Sequence, residues 1–267
     1  MDKNKLQDLV KNERFISGIY NYCDRWCERC PQTSRCLNYS FGEEEFADPE
    51  SRDINNEAFW KKMSGILKDT LDLIMEKAAR EGIDLNALDL DEVKEETRSV
   101  MEAADDHEIS RAAMAYGRMA EDWFNEAGAY FGEEEPDADR LAIAGKNNAS
   151  EKDDLQDAVE VISWYQHQIY VKLMRAISGL MEEAAEGSDG PDEFARDSDG
   201  SAKVALIGID RSIAAWGIIH NRIPSIRNHS IRSIMIHLDK LRRRIEKDFP
   251  DARVFVRPGF DTVNLNS

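Results

Sequence analysis

Four cysteines fall within fourteen residues near the N-terminus, and the sequence has no others: Cys23, Cys27, Cys30 and Cys36, spaced C-x3-C-x2-C-x5-C. Thiolates at such short intervals are ligands for zinc or for an iron–sulfur cluster. Continued as a helix, the stretch would place Cys23, Cys27 and Cys30 at i, i+4 and i+7 on one face. A rise of about 1.5 Å per residue would then leave Cys23 and Cys30 about 10 Å apart along the axis. That is too far for a shared ion, so the helix has to loosen after Cys27. Pro31 is placed to stop it, and a turn through Gln32, Thr33 and Ser34 returns Cys36 as the fourth ligand.

Structural zinc sites commonly pair two C-x2-C knuckles some distance apart, whereas here one such pair exists, Cys27 and Cys30. A compact run of all four ligands suits a cubane, so the expected cofactor is a [4Fe-4S] cluster, with zinc as the alternative. Arg25, Arg29 and Arg35 lie among the cysteines, where they would offset the negative charge of four thiolates. Tyr20, Tyr22, Trp26, Tyr39 and Phe41 flank them and would exclude water. Four ordinary thiols or two disulfides are the bland alternative.

The half-stretch Cys27-Glu-Arg-Cys30-Pro31-Gln-Thr-Ser-Arg-Cys36 resembles the iron–sulfur loop of base-excision DNA glycosylases and the cysteine cluster of certain CRISPR-associated nucleases. The likeness lies in the C-x2-C-P-x4-C pattern, covers about ten residues, and implies the cofactor. Cys23, Cys27 and Cys30 also share the C-x3-C-x2-C spacing of radical S-adenosylmethionine enzymes. Arg29 stands where those enzymes usually carry an aromatic residue, and no β/α barrel accompanies the motif.

A second set of polar residues lies in the apolar helices. Glu160 and His167 are seven residues apart on one helix, Asp210 stands in an apolar context, and His237 shares a face with Ile234 and Leu241. Together they are candidates for a metalloenzyme centre in a bundle core, with the cysteine site then structural. The Glu-x-x-His pair of ferritin-like diiron proteins does not occur. The plainer reading is buried hydrogen bonds and ion pairs, for instance Asp210 with an arginine. No Gly-rich phosphate loop, nucleophile elbow or His-Glu-x-x-His motif is present. Asp197-Ser-Asp199-Gly200-Ser201 is similar to part of a calcium loop, but Gly208 holds the twelfth position, so Ser201 is expected to cap a helix.

With 267 residues, a formal charge of −18 and a pI near 4.7, the chain can bury a substantial core. Its charge disfavours nucleic acid and anionic membranes. The N-terminus lacks the apolar core of a signal peptide, and the apolar run Val204 to Ile219 is too short to span a bilayer. A cytoplasmic location is expected, which disfavours disulfides. From Arg211 to Arg257 there are eleven lysines and arginines against four acids. This segment is read as pairing with the acidic helices or as a homodimer contact. The expected partner is otherwise a protein or redox partner.

The elements that must hold these residues are helical. Apolar periodicity predicts helices over 2–22 (Leu6, Leu9, Val10, Ile16, Ile19), 56–80, 105–131, 150–186, 202–220 and 230–248. An acidic loop is expected at 42–50, a solvated turn at 133–139 after Gly132, a linker at 187–200, a break at Pro224 and an extended tail at 252–260. The helix at 150–186 carries two apolar faces, which places it centrally. Fold class is all-α: a bundle of five to six long helices with an N-terminal Cys-rich metal-binding loop. Residues 1–50 form the helix and cysteine loop, and 51–267 the bundle, packed with the first part as one unit. The role expected is redox, sensing or structural, with a zinc-stabilised interaction module as a further alternative.

Overall fold

In a computed structural model of the chain, residues 12–87, 89–131, 149–186, 195–222 and 228–261 are described. Among these residues there are helices and turns and no strand. The α-helices are α1 (Leu37–Glu45), α2 (Pro49–Arg52), α3 (Glu57–Glu81), α4 (Leu90–Asp106), α5 (Glu108–Phe131), α6 (Ala149–Glu186), α7 (Ala195–Arg222) and α8 (Asn228–Asp248). The all-helical class holds, with two short helices beside six long ones. No described helix is long and apolar enough to cross a membrane. The chain divides into two compact units, residues 1–96 with 257–267 and residues 97–256. The boundary expected near residue 50 falls inside the first unit.

The second unit is a four-helix bundle with up-down-up-down topology. α6 and α7 run antiparallel: Gly179 lies against Ser198, Gly208 against Tyr165 and Ile169, and Asp154 pairs with Arg222 at 3.2 Å. A Cβ on Gly208 would stand 2.8 Å from the Tyr165 ring, so the glycine permits the close approach. α5 runs antiparallel to α6, with Gly117 against Gln166, and to α8, where Arg244 pairs with Glu108. Ile162, Tyr165, Ile169, Leu173 and Ile177 of α6 are buried with Leu206, Ile209 and Trp216 of α7. Leu180 and Val171 are largely exposed, so α6 buries one full stripe rather than two faces. Trp123 and Trp216 meet edge-to-face at 5.1 Å, and the Trp216 indole N–H donates to the Tyr116 hydroxyl at 3.3 Å. Burial pushes Tyr116 up to about 12, against the opposing effect of that bond.

Several expected boundaries move. α7 begins within the expected linker because Asp197 pairs with Arg175 at 2.6 Å and Ser198 packs on Gly179. Ser201 therefore sits buried inside the helix and does not cap it. The part of the linker at 187–194, the turn at 133–139 and the break at Pro224 lie outside the described residues. Residues 251–254 form a turn instead of an extended tail, with Ala252 buried and Lys203 Nζ donating to Phe255 O at 2.5 Å.

In the first unit, α3 has Asn56 as its N-cap, its side chain accepting from Ala58 N at 2.9 Å, and Gly82 closes it at φ 74°. The acidic run at 43–45 belongs to α1 instead of a loop, and Glu45 pairs with Lys62 of α3 at 2.5 Å. The expected first helix is absent over its described part, residues 12–22; Leu6, Leu9 and Val10 lie outside the described residues. Asn12 Oδ1 accepts from Arg14 N, Ile16 N donates to Arg35 O at 3.0 Å, and Gly18 turns at φ 71°. A contact nineteen residues away thus takes an amide that a helix would have used.

Candidate functional site

The cysteine stretch is built from tight turns. Arg25 has φ 59°, an uncommon backbone conformation for a residue with a Cβ. It is followed by a turn in which Cys27 N donates to Arg25 O at 3.0 Å across Trp26. Asp24 Oδ1 accepts from Trp26 N at 3.2 Å. Cys27–Arg29 and Thr33–Arg35 are single turns of 3-10 helix, and Cys36 is the N-cap residue of α1. That position puts its sulfur at the positive end of a nine-residue helix, which favours an anion. The stretch is non-helical already at Cys23, earlier than the sequence suggested, so the axial separation that helical geometry implied does not arise.

All four thiols are free and half-buried, and all four line one cavity, together with Ile19, Tyr20, Asp24, Arg25, Trp26, Thr33, Tyr39 and Phe260. The cavity is small, about 20 Å³, and opens to solvent. Burial pushes the Cys27 thiol up, and the negative charges of Cys23, Cys30, Cys36 and Glu28 add to it. Burial also raises Cys30, opposed by the Gln32 backbone N–H, which donates to its sulfur at 3.4 Å. Crowded thiols resist ionising together. The guanidinium of Arg29 lies 4.1 Å from the Trp26 ring centroid, and Arg25 lines the cavity.

A piece of chain from the far end of the sequence completes the wall. Residues 257–261 form a turn in which Arg257 makes a two-pronged ion pair with Asp261, both bonds at 3.0 Å, and its guanidinium lies 5.0 Å from the Phe260 ring. Gln32 Nε2 donates to Gly259 O at 2.9 Å. Gly259 has φ 76°, and a Cβ there would meet Ile16 Cδ1 at 2.7 Å and Ile19 Cδ1 at 2.9 Å. Ile19, 2% exposed, is the one large apolar side chain buried among the unit's described residues. Sequence reasoning placed Gln32 in the turn before Cys36 but not its bond to Gly259, and missed Gly259 and Phe260 as parts of the wall. Only the Arg257–Asp261 spacing and the Pro258-Gly259 pair hinted at an ordered turn.

The four bundle residues are not brought together. Glu160 accepts from Gln156 Nε2 at 3.4 Å, and His167 is exposed beside Gly117. His237 donates from Nε2 to Ala112 O at 2.7 Å. Asp210 pairs with Arg253 at 2.6 Å and with Arg242 at 3.5 Å, an arginine pairing of the kind the plainer reading allowed. Much of the basic segment is likewise engaged with acids of its own unit, Arg243 with Asp239 at 2.9 Å and Arg253 with Glu246 at 2.8 Å. Among the described residues, no group of three or more His, Cys, Asp or Glu is arranged so that it could hold a metal ion.

Fold and site together define an all-helical protein with a turn-built, four-cysteine cavity in one unit and a four-helix bundle in the other. No protein-family model matches the chain, and no curated protein or solved structure matches it.

Proposed function

We propose that the protein is a metal-binding protein whose centre is held by Cys23, Cys27, Cys30 and Cys36, and that this centre is a [4Fe-4S] cluster. The observation that carries this reading is that four free thiols from one short stretch line a single cavity. Among the described residues of that unit, Ile19 is the one large apolar side chain that is buried. Small units without an adequate core commonly draw folding energy from a bound metal. A cluster is favoured over zinc because all four cysteines lie in one compact run that holds a single C-x2-C pair. Thiolate bonds, the Gln32 N–H to the Cys30 sulfur and the nearby Arg25 would set the centre's charge. Four protein ligands leave no iron open to substrate, so the role is electron transfer, sensing or structural support.

The test is the visible spectrum and metal analysis of protein purified without oxygen. The expected result is broad absorption near the visible edge, with iron and sulfide each at about four per chain. A colourless protein with one zinc per chain replaces the cluster by zinc, and a metal-free protein removes the reading. Replacing all four cysteines by serine should abolish binding, with the bundle's helical circular dichroism retained as the folding control.

A further inference from the structure

The turn at residues 257–261 has a shape of its own. Besides the two-pronged ion pair of Arg257 with Asp261, Arg257 N donates to Asp261 Oδ2 at 3.0 Å. The amides of Phe260 and Asp261 donate back to Arg257 O at 3.2 and 3.1 Å. The turn is fastened to the cysteine stretch at three points. Gln32 Nε2 donates to Gly259 O at 2.9 Å, Gly259 lies against Ile16 and Ile19, and Phe260 lines the cavity with the four cysteines. The first two points lead back to one short loop, the five residues between Cys30 and Cys36. Gln32 belongs to that loop, and its backbone N–H also donates to the Cys30 sulfur at 3.4 Å. Ile16 is tied to it, its amide donating to Arg35 O at 3.0 Å next to Cys36. Gln32 thus meets a candidate ligand sulfur with its main chain and the C-terminal turn with its side chain.

We propose that filling of the cysteine site and docking of the C-terminal turn are coupled, so that the turn reports whether the centre is present. The inference rests on the proposal that Cys23, Cys27, Cys30 and Cys36 hold a metal centre. Cys30 and Cys36 bound to one centre fix both ends of the loop between them. Gln32 and Arg35 then have less freedom to lose when the turn docks, and docking becomes more favourable. The bonds inside the turn let it lift as a body, which supplies the two states that the centre biases. Gln32 is the positioning residue, because it joins the loop to the turn directly. A coupling free energy acts in both directions, so a docked turn also retains the centre more tightly.

The experiment is hydrogen exchange by mass spectrometry on the full chain, purified without oxygen, before and after stripping with EDTA while the thiols are kept reduced. Metal analysis defines both states. The readout is exchange of the Phe260 and Asp261 amides, with peptides from α6 as the control. Both amides should exchange at least about fivefold more slowly in the metal-loaded protein, the lower end of ordinary coupling between sites. Gln32→Met keeps the length of the side chain and the backbone N–H to Cys30 but removes the donor to Gly259 O. It should cut the difference between the loaded and stripped states to less than about twofold, and EDTA should remove its metal at least about fivefold faster than from wild type. Equal exchange in loaded and stripped wild type overturns the coupling and leaves the metal centre standing. A Gln32→Met protein that keeps the whole difference overturns it in the same way. A chain purified without metal removes the centre and the coupling together, at the metal analysis and before any exchange is measured.

Discussion

Gly259→Ala tests whether the C-terminal turn holds the cysteine stretch in place. At φ 76° an alanine pays about 1–2 kcal/mol for a left-handed backbone. Its methyl group would also stand 2.7 Å from Ile16 Cδ1 and 2.9 Å from Ile19 Cδ1, and Ile19 is buried, so the contact has little room to relax. Overpacking of this kind costs about 1–3 kcal/mol. Together the substitution should weaken closure of the turn by about 2–5 kcal/mol, putting at risk the Gln32–Gly259 bond and the Phe260 wall. Hydrogen exchange by mass spectrometry on metal-free protein reads this directly. Amides of Ile16, Arg35 and Cys36, bonded within residues 12–36, should exchange at least roughly thirty-fold faster, at about 1.4 kcal/mol per factor of ten. Peptides from α6 provide the internal control. Gly259→Asn separates the two contributions, since asparagine tolerates the left-handed backbone but keeps the Cβ. Exchange within threefold of wild type in the alanine variant would show that the turn does not brace the cysteines.

Two further predictions concern pH. Tyr116, raised to about 12 by burial, keeps its proton in the folded chain at pH values where an unfolded tyrosine, near pH 10, has lost it. Its contribution is complete below about pH 10 and is lost as pH rises toward 12, about 3 kcal/mol in all. Denaturant titrations from pH 9 to 12 should therefore show a steeper fall for wild type than for Tyr116→Phe, and parallel curves would refute this origin. Glu183 is raised by burial and by the carboxylates of Asp199, Asp197 and Glu182, against a bond from Ser198. Because the folded pKa is raised, its stabilisation is present at low pH and lost as pH rises through that value. Glu183→Gln should accordingly raise Tm at pH 7 with a smaller effect at pH 4, and a lower Tm at pH 7 would contradict it.

The sequence by itself determined the elements whose causes are local. Apolar residues at 3.6 spacing placed α3, α5, α6, α7 and α8, because one apolar stripe per helix is a property of the segment itself, whether or not it is then buried, as that of α3 is not. Asn56 and Gly82 bounded α3 through caps that reach only a few residues. The four cysteines were legible as a site because their spacing alone brings them near one another. Tertiary structure decided what depends on distant partners. Ile16 has an apolar spacing fit for a helix, yet its amide bonds to Arg35 O, and the helix does not form there. α7 starts early because Asp197 finds Arg175 on α6. The cavity is closed by Phe260 and clamped by a Gln32–Gly259 bond across 227 residues of sequence. Periodicity reports which face of a segment is apolar; it carries no information about which remote carbonyl, ion pair or turn that face will meet. That pairing is settled only when the whole chain packs.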